Sequence, residues 1–345
     1  MQAFVYEGTG NFNLKNAPMP KVRNNSGIIK IEATSICGTD VRAFRFGSEK
    51  IITPRIIGHE VIGRFVEIGK DVKKFKVGDR VHIAPAIGCG ICYYCRKGHT
   101  NLCNNLKTIG FDFDGTFAEY MEIPPEAFEQ DHLTNVQENI SSIEAVLTEP
   151  IACIINAQSY LNISKGDLVA IFGSGFIGII HAELAFRKGA AKVFMVEIND
   201  ERIKMIKSIL PNIIIINSKI ESLKDIIAEH SGGRGVDIAI TACSVGSAQT
   251  DAMNIIAKRG RISLFGGLPT ETTGFIDSNI IHYKEVSVHG SHASTVAQNR
   301  EVLDMIGNNE LSVKPFIKNT FPLKDVLRAF EALSNEEIIK GILIP

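Results

Sequence analysis

At 345 residues the chain exceeds one typical hydrophobic core, so two domains are expected. Lys and Arg total 37 against 38 Asp and Glu, a net charge of −1, which argues against nucleic acid or an anionic membrane as a partner. A hydrophobic share of 45% with 22% charged residues is ordinary for a globular protein, and the most apolar run, 213–216, is far too short to span a bilayer.

The opening segment MQAFVYEGTG has no basic stretch leading into an apolar one, so no signal peptide is expected and a cytoplasmic location follows. Residues 1–86 read as short strands punctuated by Gly, Pro and Asn, the pattern of a partly closed all-β barrel. Inside it lie Ile36-Cys37-Gly38-Thr39-Asp40 and, about twenty residues on, Gly58-His59-Glu60. A thiol, an imidazole and a carboxylate are the donors that hold a catalytic Zn²⁺ while leaving one position open. Taken alone, a buried thiol and a satisfied histidine would account for the first two.

Next come Cys89, Cys92, Cys95 and Cys103, four of the seven cysteines, with glycines at 88, 90 and 98. Two overlapping Cys-x-x-Cys steps and a fourth thiol can close the tetrahedral cage of a structural zinc. A redox Cys-x-x-Cys would leave two of these thiols without a use.

From Ser141 the apolar residues fall at helical spacing, interrupted at Glu149-Pro150. A buried strand, 167–172, then runs into Gly173-Ser174-Gly175-Phe176-Ile177-Gly178 and an apolar helix, 179–187. A second strand at 192–196 ends beside Glu197. Strand, glycine turn, helix and a following acid are the context that turns a weak GxGxxG into a dinucleotide fingerprint. Strands at 213–216, 236–241, 261–265 and 286–289 alternate with helices at 220–228 and 246–257, giving a doubly wound parallel sheet. Beyond it, 294–306 and 323–333 read as helices and 341–344 as a last strand, a tail that most simply returns to the first domain.

Both zinc signatures and the nucleotide turn, in this order, resemble the zinc-dependent medium-chain alcohol and polyol dehydrogenases over essentially the whole chain. The resemblance implies an α/β protein: a discontinuous GroES-like catalytic domain, 1–155 with 290–345, and a Rossmann domain, 156–289. Thr148-Glu149-Pro150 stands where the sorbitol and polyol branch carries Glu-Pro, so a polyol or polyol phosphate is the implied substrate. By the same resemblance Cys37 and His59 are ligands of the catalytic zinc, and the third is Glu60 or, by exchange through water, Glu149. Thr39 would touch the substrate oxygen and Asp40 would hold the zinc histidine. Cys89, Cys92, Cys95 and Cys103 would hold the structural zinc, so one catalytic and one structural Zn²⁺ are expected. Gly173, Gly175 and Gly178 would cradle the pyrophosphate, Glu197 would bond the ribose diol and so favour NAD over NADP, Arg202 would lie near that ribose, and Lys340 near the pyrophosphate. The branch forms tetramers or dimers, so a homo-oligomer is implied.

One departure stands out: Arg42 replaces the histidine that relays the substrate proton in relatives, and arginine does not deprotonate. Arg42, Arg45 and Arg55 suit a phosphorylated polyol, and the acidic run 111–114 suits a neutral one. L-Threonine 3-dehydrogenase is the alternative enzyme, against which stand Ala86 and Glu149-Pro150. A non-catalytic nucleotide-binding scaffold would have lost the zinc set that this chain retains.

Overall fold

The computed structural model describes residues 1–269, 272 and 274–345. The chain divides into two units, Met1–Ala152 with Ala293–Pro345, and Cys153–His292.

The first unit is built on a seven-stranded sheet centred on the strand Gly27–Ser35. Its apolar, β-branched sequence GIIKIEATS is buried almost throughout, as a strand covered on both faces requires. It pairs antiparallel with Glu60–Ile68, Ser35 standing opposite Glu60, and with Ile342–Ile344, Ile342 standing opposite Ser35. The last strand of the chain thus joins a sheet whose first strand starts at Gly27. Ile29, Ile31, Val61, Phe65 and Met121 form one core of this unit. A second gathers Phe4, Phe12, Phe117 and Phe330, the rings of Phe12 and Phe330 stacking at 5.7 Å. Aromatic pairs of this kind add about 0.5–1.5 kcal/mol to the burial itself. This pair ties the C-terminal helix Val326–Ser334 to the N-terminal strands.

The second unit is a parallel sheet of six strands in the order Ile214–Asn217, Lys192–Glu197, Leu168–Phe172, Val236–Thr241, Ile256–Leu264, Ser287–Gly290. The central strand LVAIF is buried at every residue. The order reverses beside it: one neighbour continues the chain, and the other returns after two further strands. Such a switch point is where doubly wound sheets bind ligands, at the carboxyl ends of the strands.

Several boundaries differ from the sequence reading for local reasons. Pro150 does not interrupt a helix: it lies in the first turn of Thr148–Ser159, where a missing N–H costs nothing, and a separate short helix, Ser142–Ala145, precedes it. The helix expected at 220–228 begins at Leu223, because the Ser222 hydroxyl caps it by accepting from Asp225 N. Two further helices, Asp200–Ile209 and Ser278–Lys284, were not expected from the sequence; the Asn199 and Asp277 side chains cap them. The strand expected to begin at 261 begins at Ile256, directly after the helix Gly246–Ile255. Among the described residues, no helix is long and apolar enough to cross a membrane.

Candidate functional site

Strand register brings the first cluster together. With Ser35 opposite Glu60, Cys37 lies just past one strand end and His59 just before the start of its neighbour. The Cys37 thiol, a His59 ring nitrogen and a Glu60 carboxylate oxygen all lie within 4.8 Å of one another. The backbone ahead of His59 needs glycine. Gly58 has φ +93°, and a Cβ there would meet the Thr116 hydroxyl at 2.5 Å and the Phe117 ring at 2.8 Å.

Three side chains organise these donors. Asp40, 2% exposed, accepts the Cys37 N–H at 2.9 Å with one oxygen, and its other oxygen lies 3.5 Å from His59 Nδ1. It thereby fixes the start of the helix Gly38–Phe46 and sets a carboxylate charge beside the His59 ring. Burial alone would make His59 a weaker base, but Asp40 foremost, with Cys37, raises it well above the usual histidine range. Glu60, fully buried, accepts from the Ser35 hydroxyl and from Lys340 Nζ, at 2.6 Å, through the same oxygen, Oε2. Its Oε1 is buried with no hydrogen-bond partner. A carboxylate oxygen left so in the interior is costly unless a cation uses it. The donor set and this open oxygen fit a zinc ion.

Lys340 stands beside Glu60, 6% exposed, and also donates to Ile36 O at 3.0 Å. Burial would strip its proton, but Glu60, with Cys37 and Glu149, holds its pKa above the usual lysine value. Glu149 is buried in the first turn of Thr148–Ser159, within electrostatic reach of Lys340 and outside the 4.8 Å donor set. Thr39, half-buried, follows in the first turn of the helix begun at Cys37. The Phe111 ring, 6.2 Å from that of His59, adds an apolar wall. Of the arginines, Arg55 donates to Asp114 at 3.3 Å, while Arg42 and Arg45 are exposed on the helix Gly38–Phe46. In the acidic run, Asp112 accepts from Thr108 N and Asp114 also from Ile56 N.

The sulfurs of Cys89, Cys92, Cys95 and Cys103 also lie within 4.8 Å of one another. Backbone N–H groups of Cys95 and Asn104 lower the Cys92 thiol to about 6, whereas burial pushes Cys95 up to about 12. Four thiols so placed ionise together only when a cation shares their charge, and zinc is the cation that prefers such a cage.

In the second unit Gly173, Gly175 and Gly178 form the turn between the central strand and the helix Phe176–Arg187. A Cβ at Gly178 would lie 2.0 Å from Gly173 O, so only glycine lets the helix start against the strand. Gly175, the helix N-cap, has nothing nearer to its missing Cβ than Arg202 Nη1 at 3.4 Å. An open backbone at a helix N-terminus fits a phosphate. Glu197 closes the second strand and accepts from Ser174 N and Oγ on one oxygen and from Ile198 N and Asn199 N on the other. Burial raises its pKa, but Ser174, Asn199, Ile198 and the Arg202 charge more than offset this and hold it below the usual carboxylate range. Ser35, Ser174 and Phe111 were not singled out from the sequence, since register and turn geometry alone give them their roles.

A barrel-like unit with a Cys–His–carboxylate donor set and a thiolate lobe, joined to a parallel sheet with a dinucleotide turn, defines a zinc-dependent oxidoreductase of GroES-like and Rossmann architecture. Residues 23–130 match the alcohol dehydrogenase GroES-like domain and residues 177–308 match zinc-binding dehydrogenase. The chain belongs to the zinc-dependent medium-chain alcohol and polyol dehydrogenase family. It is 30% identical over 349 residues to the sorbitol dehydrogenase of Halalkalibacterium halodurans, covering 100% of this chain and 99% of that protein. It is 30% identical over 333 residues to the L-threonine 3-dehydrogenase of Pseudoalteromonas translucida, covering 96% and 95%. The crystal structure of 2R,3R-butanediol dehydrogenase from Bacillus subtilis superimposes with a TM-score of 0.88 at 26% identity, covering 100% of this chain and 99% of that one.

Proposed function

We propose that the protein oxidises a secondary hydroxyl of a polyol or polyol phosphate to the ketose, or reduces the ketose, with NAD as hydride carrier. The observation that carries this reading is the 4.8 Å convergence of Cys37, His59 and Glu60, with a carboxylate rather than a second thiol as third donor. A zinc ion held there supplies the Lewis acidity that makes a hydroxyl acidic near neutral pH, and a bound nicotinamide ring supplies the hydride acceptor. The chain's own residues do the rest. Asp40 keeps the imidazole aimed, Thr39 accepts the substrate hydroxyl proton and passes it outward, and Arg42 takes no part in that relay. The turn at Gly173, Gly175 and Gly178 holds the pyrophosphate, Glu197 receives the ribose diol after exchanging its Ser174 contact, and Arg202 borders the ribose.

Similarity to the sorbitol and 2R,3R-butanediol dehydrogenases supports a secondary-alcohol substrate. Equal identity to an L-threonine 3-dehydrogenase favours a second reading in which the secondary hydroxyl belongs to an amino acid. Steady-state assays with sorbitol, other sugar alcohols, their phosphate esters, 2,3-butanediol, L-threonine and ethanol, each with NAD and with NADP, separate these readings. Turnover of polyols with NAD, far above that of ethanol and threonine, is the expected result. Threonine as the best substrate would replace the polyol reading, and preference for a phosphate ester would assign Arg42 and Arg45 to its phosphate.

A further inference from the structure

The two oxygens of Glu60 live in different surroundings. Oε2 has two donors, the Ser35 hydroxyl and Lys340 Nζ, all on side chains 6% exposed or less. Oε1 has none. Lys340 is itself anchored, since its ammonium also bonds Ile36 O, and the pairing of Ile342 with Ser35 places it two residues before that register point. The position of a residue 304 places away in sequence from Ile36 is thus set by a strand at the end of the chain.

We propose that Lys340, with Ser35, acts as a positioning pair that lets Glu60 ligate metal through Oε1 alone and so keeps a coordination position open for substrate. This rests on the metal reading of Cys37, His59 and Glu60. A carboxylate released from such a pair can chelate through both oxygens and occupy the position a substrate hydroxyl needs. To do so here it must give up two buried bonds, both charge-assisted by the carboxylate and one of them an ion pair, which is the strong kind. The lysine also places one positive charge among Cys37, Glu60 and Glu149, so removing it draws the second carboxylate oxygen more strongly onto a cation.

Cobalt(II) in place of zinc reads the geometry directly, because four-coordinate cobalt absorbs strongly in the visible and five-coordinate cobalt weakly. The thiolate lobe contributes its own bands, which are removed by subtracting the spectrum of cobalt-loaded Cys37→Ser protein. In the difference spectrum, Lys340→Met is expected to lose about half or more of the wild-type visible intensity at full metal loading, as coordination number rises. Ser35→Ala is expected to lose a smaller part, Lys340→Arg to restore most of it, and kcat to fall in the same order. Superimposable difference spectra for wild type and both Lys340→Met and Ser35→Ala overturn the proposal. Should Lys340→Met not fold, the Ser35→Ala spectrum alone decides. A wild-type difference spectrum with no thiolate-to-cobalt band removes the metal reading itself, which is a separate failure from an unchanged variant.

Discussion

Asp40 shows how one short side chain can serve two levels of structure. Its carboxylate caps a helix through Cys37 N and faces His59 Nδ1, so loss of charge there loosens both donors at once. Asp40→Asn is expected to lower metal affinity and kcat/KM by about 10–100-fold, the usual cost of removing a carboxylate behind a ligating histidine. Zinc retained at the thiolate lobe, measured by metal analysis, separates this from general unfolding. Glu197 tests cofactor choice at the same scale. Glu197→Gln keeps the shape but removes the charge, so kcat/KM with NAD should fall about tenfold or more and the ratio to NADP should shift toward the phosphorylated cofactor. An unchanged NAD-to-NADP ratio would show that the carboxylate does not read the ribose. Cys37, His59 and Glu60 could be named as candidate donors because short motifs carry ligand chemistry in their residue types, and their donor atoms do converge. Lys340 was expected near the pyrophosphate by resemblance, whereas its ammonium pairs with Glu60, a partner that depends on which strand the chain's last segment joins.

At the scale of elements, the glycine turn is the feature most sensitive to a single atom. The contact of Gly178 with Gly173 O is backbone to backbone, with no flexible side chain to yield. Gly178→Ala should destabilise the unit Cys153–His292 by about 1–3 kcal/mol or more and weaken dinucleotide binding, read by urea unfolding and by nucleotide titration. Stability and affinity both at wild-type levels would mean the helix can start elsewhere. The elements themselves were visible where burial is two-sided, as in LVAIF, whose continuous apolar run leaves little choice. They were obscured where a cap decides, as at Ser222 and at Asn199. Pro150 was misread for a related reason. A proline breaks a helix in its interior but opens one in its first turn, and only the placement of that turn distinguishes the two.

At the scale of the molecule, acid stability has an identifiable contributor in the parallel-sheet unit. His181, fully buried in the helix Phe176–Arg187, accepts from Gln158 and meets the Phe265 ring edge-on at 5.1 Å. Burial, with Lys188 nearby, depresses its pKa to about 3. The native state then holds His181 neutral while the unfolded chain takes up a proton below about pH 6.5, so its share of stability is complete above that pH and is lost on acidification toward pH 3. Within that window the slope is about 1.4 kcal/mol per pH unit for the single proton. Urea unfolding of wild type and His181→Gln at pH 7 and pH 5 should show a shallower pH dependence in the variant, whatever its absolute stability; equal slopes would refute this.

The residue types and spacings alone determined which candidate donors and turns are present: the four cysteines of the lobe and the three glycines of the turn each lie within a short stretch whose geometry the local backbone dictates, whereas Cys37 is brought to His59 by strand register. The tertiary structure decided that Glu60 stands inside the donor set and Glu149 outside it, that Ser174 occupies the Glu197 carboxylate, and that Lys340 reaches Glu60. Those outcomes turn on strand register between distant segments, where a shift of one residue reverses the face of every side chain and no local signal records the pairing.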